Sequence, residues 1–165
     1  LKKKKQIEKF TIVVDTREQL PYKFNIVDEC NGAISKKLEC GDYSILNLEH
    51  VISIERKKSV AELYNNLGKD RGRFFNELEN LRRIKYKFLV LEFSYDDIKK
   101  GCIYSRISPN YIISNLLKLQ LEYGINVIYA GNRVASQDIV KRILNKVWKY
   151  YIEGRINGNN CYEKK

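Results

Sequence analysis

The sequence predicts an α/β fold, a mixed central sheet flanked by helices. Three observations carry this. Short apolar, β-branched runs stand at Thr11–Val14, Val51–Ile54 and Ile125–Tyr129, and a near-continuous apolar run spans Lys87–Phe93. Between and after them lie stretches with apolar residues at helical spacing, each opened by a capping residue or closed by glycine. The order is strands first and then helices alternating with strands, the arrangement of a sheet with helices on its faces. No internal repeat is present.

Taken in order, Thr11-Ile12-Val13-Val14 is a short buried strand that delivers Asp15-Thr16-Arg17-Glu18 at its end. Leu20-Pro21 marks a loop and Asn31-Gly32 a turn. From Cys40 to Lys57 the flanks alternate around a polar middle, Leu46–His50, which is the pattern of a β-hairpin. Ser59-x-x-Glu62 is a capping box, Val60, Leu63 and Leu67 form the stripe behind it, and Gly68 stops the helix. Lys69–Arg73 reads as a basic loop opening a second helix that carries Phe74, Phe75, Leu78 and Leu81. The Lys87–Phe93 run fits a central strand covered on both faces. Ser94–Lys100 is a short helix, and Ser108-Pro109 caps another that ends at Tyr123-Gly124. The last helix, from Ser136, carries Ile139, Val140, Ile143, Leu144, Val147, Trp148 and Tyr151, a face wide enough for core packing or for a partner. Domain boundaries follow: a basic tail over 1–9, one folded domain over 10–152 and a polar tail over 153–165.

With 165 residues, 44% hydrophobic and 31% charged, the chain has the composition of a single globular domain. Its net charge of +11 asks for a polyanionic partner, nucleic acid or an anionic membrane surface. No apolar run approaches the roughly 18 residues that cross a bilayer, and no signal-peptide core follows Lys2–Lys5, which favours nucleic acid over membrane. The four cysteines show no metal-ligand spacing and read as reduced thiols of an intracellular protein, in cytoplasm or nucleoid, or in a nucleus. The single histidine, His50, falls in the hairpin turn, so Ser-His and Cys-His mechanisms have little to draw on. A start at Leu1 and the absence of methionine read as a piece excised from a longer protein.

The hairpin carries the chemistry. It returns Asp42 to the side of Glu55 and Lys57, and the last two, separated by one residue on a strand, share a face. Two neighbouring carboxylates repel, and a hard divalent cation relieves the repulsion while taking their oxygens as ligands. Such an ion polarises a phosphoryl oxygen and activates a bound water, with Lys57 to orient or deprotonate that water. The same spacing also describes a surface hairpin with a Glu–Lys pair, which contributes under ~1 kcal/mol. Arg71 and Arg73 read either as a solvated loop or as phosphate contacts.

Together, Val14-Asp15-Thr16-Arg17-Glu18, Gly41-Asp42-Tyr43 and Glu55-Arg56-Lys57 resemble the nuclease domain of the XPF-type structure-specific endonucleases, within the restriction-endonuclease-like PD-(D/E)XK group. Gly72-Arg73-Phe74 and Tyr123-Gly124-Ile125 are similar to the family as well, so the likeness covers roughly residues 10–152. The resemblance implies an endonuclease that cuts branched, flapped or junction DNA with Mg2+ or Mn2+. It implies Asp42 and Glu55 as metal ligands, Asp15 as a further acidic member, and Lys57 as the residue acting on water. Arg17 and Arg56 would hold phosphate or orient carboxylates, with a structural ion pair the other reading for Arg56; Arg17, Arg71 and Arg73 would contact DNA.

One departure stands out: where the family usually places a further Asp, the chain has Ala61, with Glu62 one step on. Family members commonly dimerise through this domain, which makes the 136–152 helix the expected homodimer surface. They also commonly carry a helix-hairpin-helix module or a helicase, and neither fits in this length, so the chain is either a stand-alone nuclease or one domain of a longer protein. The alternative to an enzyme is a catalytically silent, nuclease-like DNA-binding or dimerisation partner, against which the intact set Asp15, Asp42, Glu55 and Lys57 argues.

Overall fold

The structure, a computed structural model, describes residues 8–27 and 29–158. Six strands form one mixed sheet: β1 (Phe10–Val14), β2 (Cys30–Ser35), β3 (Tyr43–Ile45), β4 (Ile52–Lys57), β5 (Tyr86–Leu91) and β6 (Asn126–Tyr129), in the spatial order β2-β1-β3-β4-β5-β6. Five helices accompany them: α1 (Val60–Leu67), α2 (Arg71–Leu81), α3 (Tyr95–Lys99), α4 (Pro109–Tyr123) and α5 (Arg133–Ile152). β3 is antiparallel to both its neighbours, whereas the β1–β2, β4–β5 and β5–β6 pairs are parallel. The C-terminal ends of β1, β4 and β5 therefore lie along one edge of the sheet, the edge where parallel-strand folds place their sites.

Period-two alternation sorts the strand residues between two cores. Ile12, Val14, Tyr43, Ile45, Ile52, Ile54 and Val90 face α5, which lies across β1, β3, β4 and β5 and contributes Val140, Leu144 and Val147. Leu89 and Leu91 face the other way, under Leu63 and Leu67 of α1, Leu78 of α2 and Leu116 of α4. Arg56 follows Ile52 and Ile54 onto the α5 side, so Glu55 and Lys57 go to the side of α1 and α2.

The predicted hairpin is present, with Tyr43 opposite Ile54 and Asn47 in the left-handed region (φ 68°) within its turn. Ser59 caps α1 by accepting from the Glu62 N–H, Ser94 closes a capping box on α3, and Ser108-Pro109 opens α4. Gly124 ends α4 in the left-handed conformation (φ 64°), which a residue without Cβ adopts freely.

Three expectations change. Asn31-Gly32 is part of edge strand β2 rather than a turn; the register slips between Phe10 and Ile12, and Gly32 (φ 86°) absorbs the irregularity. Arg71 and Arg73 stand in the first turn of α2 rather than in a loop, because the Asp70 carbonyl already accepts from the Phe74 N–H (2.9 Å). α5 begins at Arg133, three residues before Ser136, since the Asn132 side chain caps it through the Ala135 N–H (2.9 Å). Of its apolar face, Val140, Leu144 and Val147 are buried against the sheet, Ile143, Trp148 and Tyr150 pack at their margin, and Ile139 is half-buried, while Val134, Tyr151 and Ile152 are exposed at the two ends.

Among the described residues no helix is long and apolar enough to cross a membrane. Cys30, Cys40 and Cys102 are free thiols. The Lys2–Lys5 cluster and Cys161 lie outside the described residues.

Candidate active site at the carboxyl edge of the sheet

Asp42 immediately precedes β3 and is stitched to both neighbouring strands. Its carbonyl accepts from the Asp15 N–H (2.8 Å), its N–H donates to the Ile54 carbonyl (2.8 Å), and its Oδ2 accepts from the Arg56 N–H (2.7 Å). Gly41 makes this possible: at φ 75° its missing Cβ would lie 2.1 Å from the Ser53 hydroxyl. The Asp42 carboxylate thus sits beside Glu55 and Lys57. Lys57 Nζ donates to Glu55 Oε1 (2.8 Å) and lies 3.7 Å from Glu62 Oε1, with the Phe74 ring 5.2 Å from its ammonium.

The electrostatics act differently on Asp42 and on Lys57. Burial, then the neighbouring Glu55 charge, push Asp42 well above the usual carboxylate range. Burial would lower Lys57, but the charges of Glu55, Glu62 and Asp42 outweigh it and raise it above its ordinary value, so it is an ammonium. Glu62 is shared: its Oε2 accepts from the Lys58 N–H (2.8 Å) at the start of α1 while Oε1 faces Lys57. The side chain therefore belongs to both the helix cap and the site's rim.

Asp15 is differently engaged. Oδ1 accepts from Arg17 N–H (2.8 Å) and Nε (2.7 Å), and Oδ2 accepts from Leu38 N–H (2.7 Å) and Arg17 Nη2 (3.2 Å). Four donors fill the acceptor capacity of a carboxylate. Burial alone would raise Asp15, yet these bonds, led by the Arg17 side chain, hold it below its ordinary value. Arg17 reaches past it to the Leu38 carbonyl (3.0 Å) and stays largely exposed.

Arg56 lies on the opposite side of β4 from Lys57. Its guanidinium is buried, bonded to Glu92 Oε1 (2.7 Å) and the Leu20 carbonyl (2.7 Å), 3.4 Å from Glu18, and stacked 4.4 Å over the Tyr22 ring. Glu18, also paired with Lys58 (3.1 Å), lies close enough to Asp42 to add to its upward shift. Arg73 is ion-paired with Glu77 (3.1 Å), and Arg71 stacks on Phe75 (4.6 Å); besides Phe74 at Lys57, this helix bears on the site through Glu77, whose charge acts on Arg17.

Sequence reasoning left out Glu92, Lys58 and the site role of Glu18. Glu18 was signalled by Asp-x-Arg-Glu at a strand end; Glu92 stands at the end of β5, on the same sheet edge, and could have been found from that position alone.

The donor set fits a hard cation at Asp42 and Glu55: both are carboxylates, side by side, and their mutual repulsion is what a divalent ion neutralises. Asp15, with its acceptors filled, does not fit as a ligand in this arrangement. Among the described residues no three Asp, Glu, His or Cys side chains are gathered around one point.

Residues 14–143 match the ERCC4 domain. The chain belongs to the ERCC4 domain family. The ERCC4 domain here resembles XPF from Aeropyrum pernix in fold, with a TM-score of 0.63 over 88% of this chain and 68% of that one, at 20% identity. The same Aeropyrum pernix protein in complex with DNA aligns with a TM-score of 0.64, over 86% of this chain and 66% of that one, at 22% identity. A Methanocaldococcus jannaschii protein that carries an ATP-dependent RNA helicase name is 30% identical over 135 residues. That match takes in 82% of this chain and 15% of the relative, so this ERCC4 domain spans a small part of that protein's length.

Proposed function

We propose that the chain is a metal-dependent DNA endonuclease that hydrolyses phosphodiester bonds in branched, flapped or junction DNA. The observation that carries this reading is the Asp42–Glu55–Lys57 group on one sheet edge, with Asp42 held above its usual range by burial and by the adjacent Glu55 charge. Family membership, the DNA-bound structural relative and the +11 charge support it.

Asp42 and Glu55 would hold Mg2+ or Mn2+, which when bound lowers the pKa of a ligated water and polarises a phosphoryl oxygen. Lys57 is held as an ammonium by Glu55 and Glu62, so it orients the water and offsets charge on the phosphate rather than removing a proton. Asp15 fixes Arg17 and the Leu38 backbone, leaving the exposed guanidinium for the substrate's phosphate. Arg56 acts as a positioning residue: its backbone N–H orients the Asp42 carboxylate while its side chain ties β4 to Glu18 and Glu92.

The test is cleavage of labelled duplex, single strand, 3′ flap, splayed arm and four-way junction, with Mg2+, Mn2+ or EDTA, by wild type and Asp42→Asn. Metal-dependent cutting of the branched forms that falls at least 100-fold in the variant is expected. Tight binding without cutting in any metal would overturn the enzyme reading in favour of a silent DNA-binding partner.

A further inference from the structure

Beside the site lies a cleft of about 1040 Å³ that none of the residues above explains. One wall is the segment after β2, with Lys36 and Lys37. The other is the C-terminal end of α2 and the turn after it, with Arg82 and Arg83, and the β3–β4 turn closes it with Glu49 and His50. Four cations face two acids, Glu39 and Glu49. Lys36 is paired with Glu49 (2.5 Å) and Arg82 with Glu79 (2.9 Å), while Lys37 and Arg83 are exposed and have no ion-pair partner among the described residues. Arg82 is held over the Tyr123 ring (4.7 Å), so its charge is already placed.

The two walls both lead to the site. The Lys36–Cys40 segment is bonded to it directly, through the Leu38 N–H on Asp15 and the Leu38 carbonyl on Arg17, and two residues past Cys40 it becomes Asp42. On α2 the ion-paired Arg73 and Glu77 are followed at helical spacing by Asn80, which lines the cleft, and Arg83 comes in the turn just past the helix. Glu77 acts on Arg17 at one end of this row and Arg83 stands in the cleft at the other. From Arg73 to its end at Leu81 the helix is about 12 Å long, and with the turn that carries Arg83 the row reaches the span of roughly four nucleotides at 3.4 Å each.

We propose that this cleft carries the sugar-phosphate backbone of one DNA arm away from the site, over about four nucleotides, with Lys37 and Arg83 as the two free phosphate contacts on opposite walls. The proposal rests on the endonuclease reading for the identity of the polyanion. Phosphate contacts of this kind add affinity and register without sequence preference.

The experiment measures binding of flap and junction DNA by fluorescence anisotropy in EDTA, from 50 to 200 mM salt. It compares wild type, the double variant Lys37→Ala/Arg83→Ala, and a control of equal charge loss, Lys99→Ala/Lys146→Ala, on exposed positions away from the cleft. The cleft variant is expected to bind at least tenfold more weakly than the control at low salt. Its plot of log affinity against log salt should also be shallower than wild type by about 1.8, two contacts at about 0.9 each. Equal binding by cleft variant and control overturns the cleft, whether or not wild type cuts DNA. Metal-dependent cutting that survives Asp42→Asn overturns the active-site reading and leaves the cleft standing, and a wild type that binds no DNA overturns both.

Discussion

Replacing Asp42 by Asn should stabilise the metal-free protein, although it removes the side chain on which activity is expected to depend. Asp42 and Glu55 approach as side chains of adjacent strands do, at about 5 Å. Two negative charges at that distance repel by about 3 kcal/mol at an effective dielectric constant of about 20. Lys57, bonded to Glu55, offsets part of this, which leaves a gain of ~1–2 kcal/mol when the Asp42 charge is removed. Asn retains an oxygen to accept from the Arg56 N–H, so the local fold keeps its bond. For a chain of this size the gain is a rise of ~2–8 °C in Tm.

The dependence on pH has a definite sign. Because the folded-state pKa of Asp42 is raised, its contribution to metal-free stability is complete below its ordinary value of 3.8 and is lost as pH rises through the folded value. Asp15 and Glu18 are held low and act oppositely, adding stability above their ordinary values of 3.8 and 4.5 that is lost in acid. The Tm difference between Asp42→Asn and wild type therefore isolates Asp42 and should widen as pH is raised from 4 to 8. Scanning calorimetry in EDTA measures it, and 10 mM Mg2+ should raise the Tm of wild type more than that of the variant. A variant that is less stable than wild type at pH 8 in EDTA, or a gap that does not widen with pH, would refute the reasoning.

Two further outcomes follow from the same geometry. Lys57→Ala should lower metal-dependent cleavage at least 100-fold while leaving DNA affinity within about threefold, since one ammonium is a small part of a multi-contact interface; cutting at the wild-type rate would remove Lys57 from the mechanism. Arg56→Met should cost about 3–5 kcal/mol by urea denaturation, because it strips the buried Glu18 and Glu92 of their shared cation. Lost cleavage with unchanged stability would instead make Arg56 a direct substrate contact.

The sequence by itself determined what is local in the chain. The Glu55–Lys57 pair follows from strand alternation, the return of Asp42 follows from the hairpin pattern, and the helix ends at Ser59, Ser94, Ser108 and Gly124 follow from capping chemistry. Each of these depends on neighbours within a few positions or on one short turn, so residue types and spacing suffice. The tertiary structure decided which partners the remaining charged groups take. Asp15 accepts from Arg17 and from Leu38, twenty-three positions away, so a partner of this carboxylate comes from outside its own strand end. Arg56 faces away from Lys57 and meets Glu92, thirty-six positions on, because the β4–β5 pairing brings Leu91 beside Lys57 at the same edge. β2 was hidden in the sequence because its bulge at Gly32 needs β1 as a template, and the apolar face of α5 could be assigned to the sheet only once the sheet existed to receive it. Alternation tells which way a side chain points; only packing tells what it finds there.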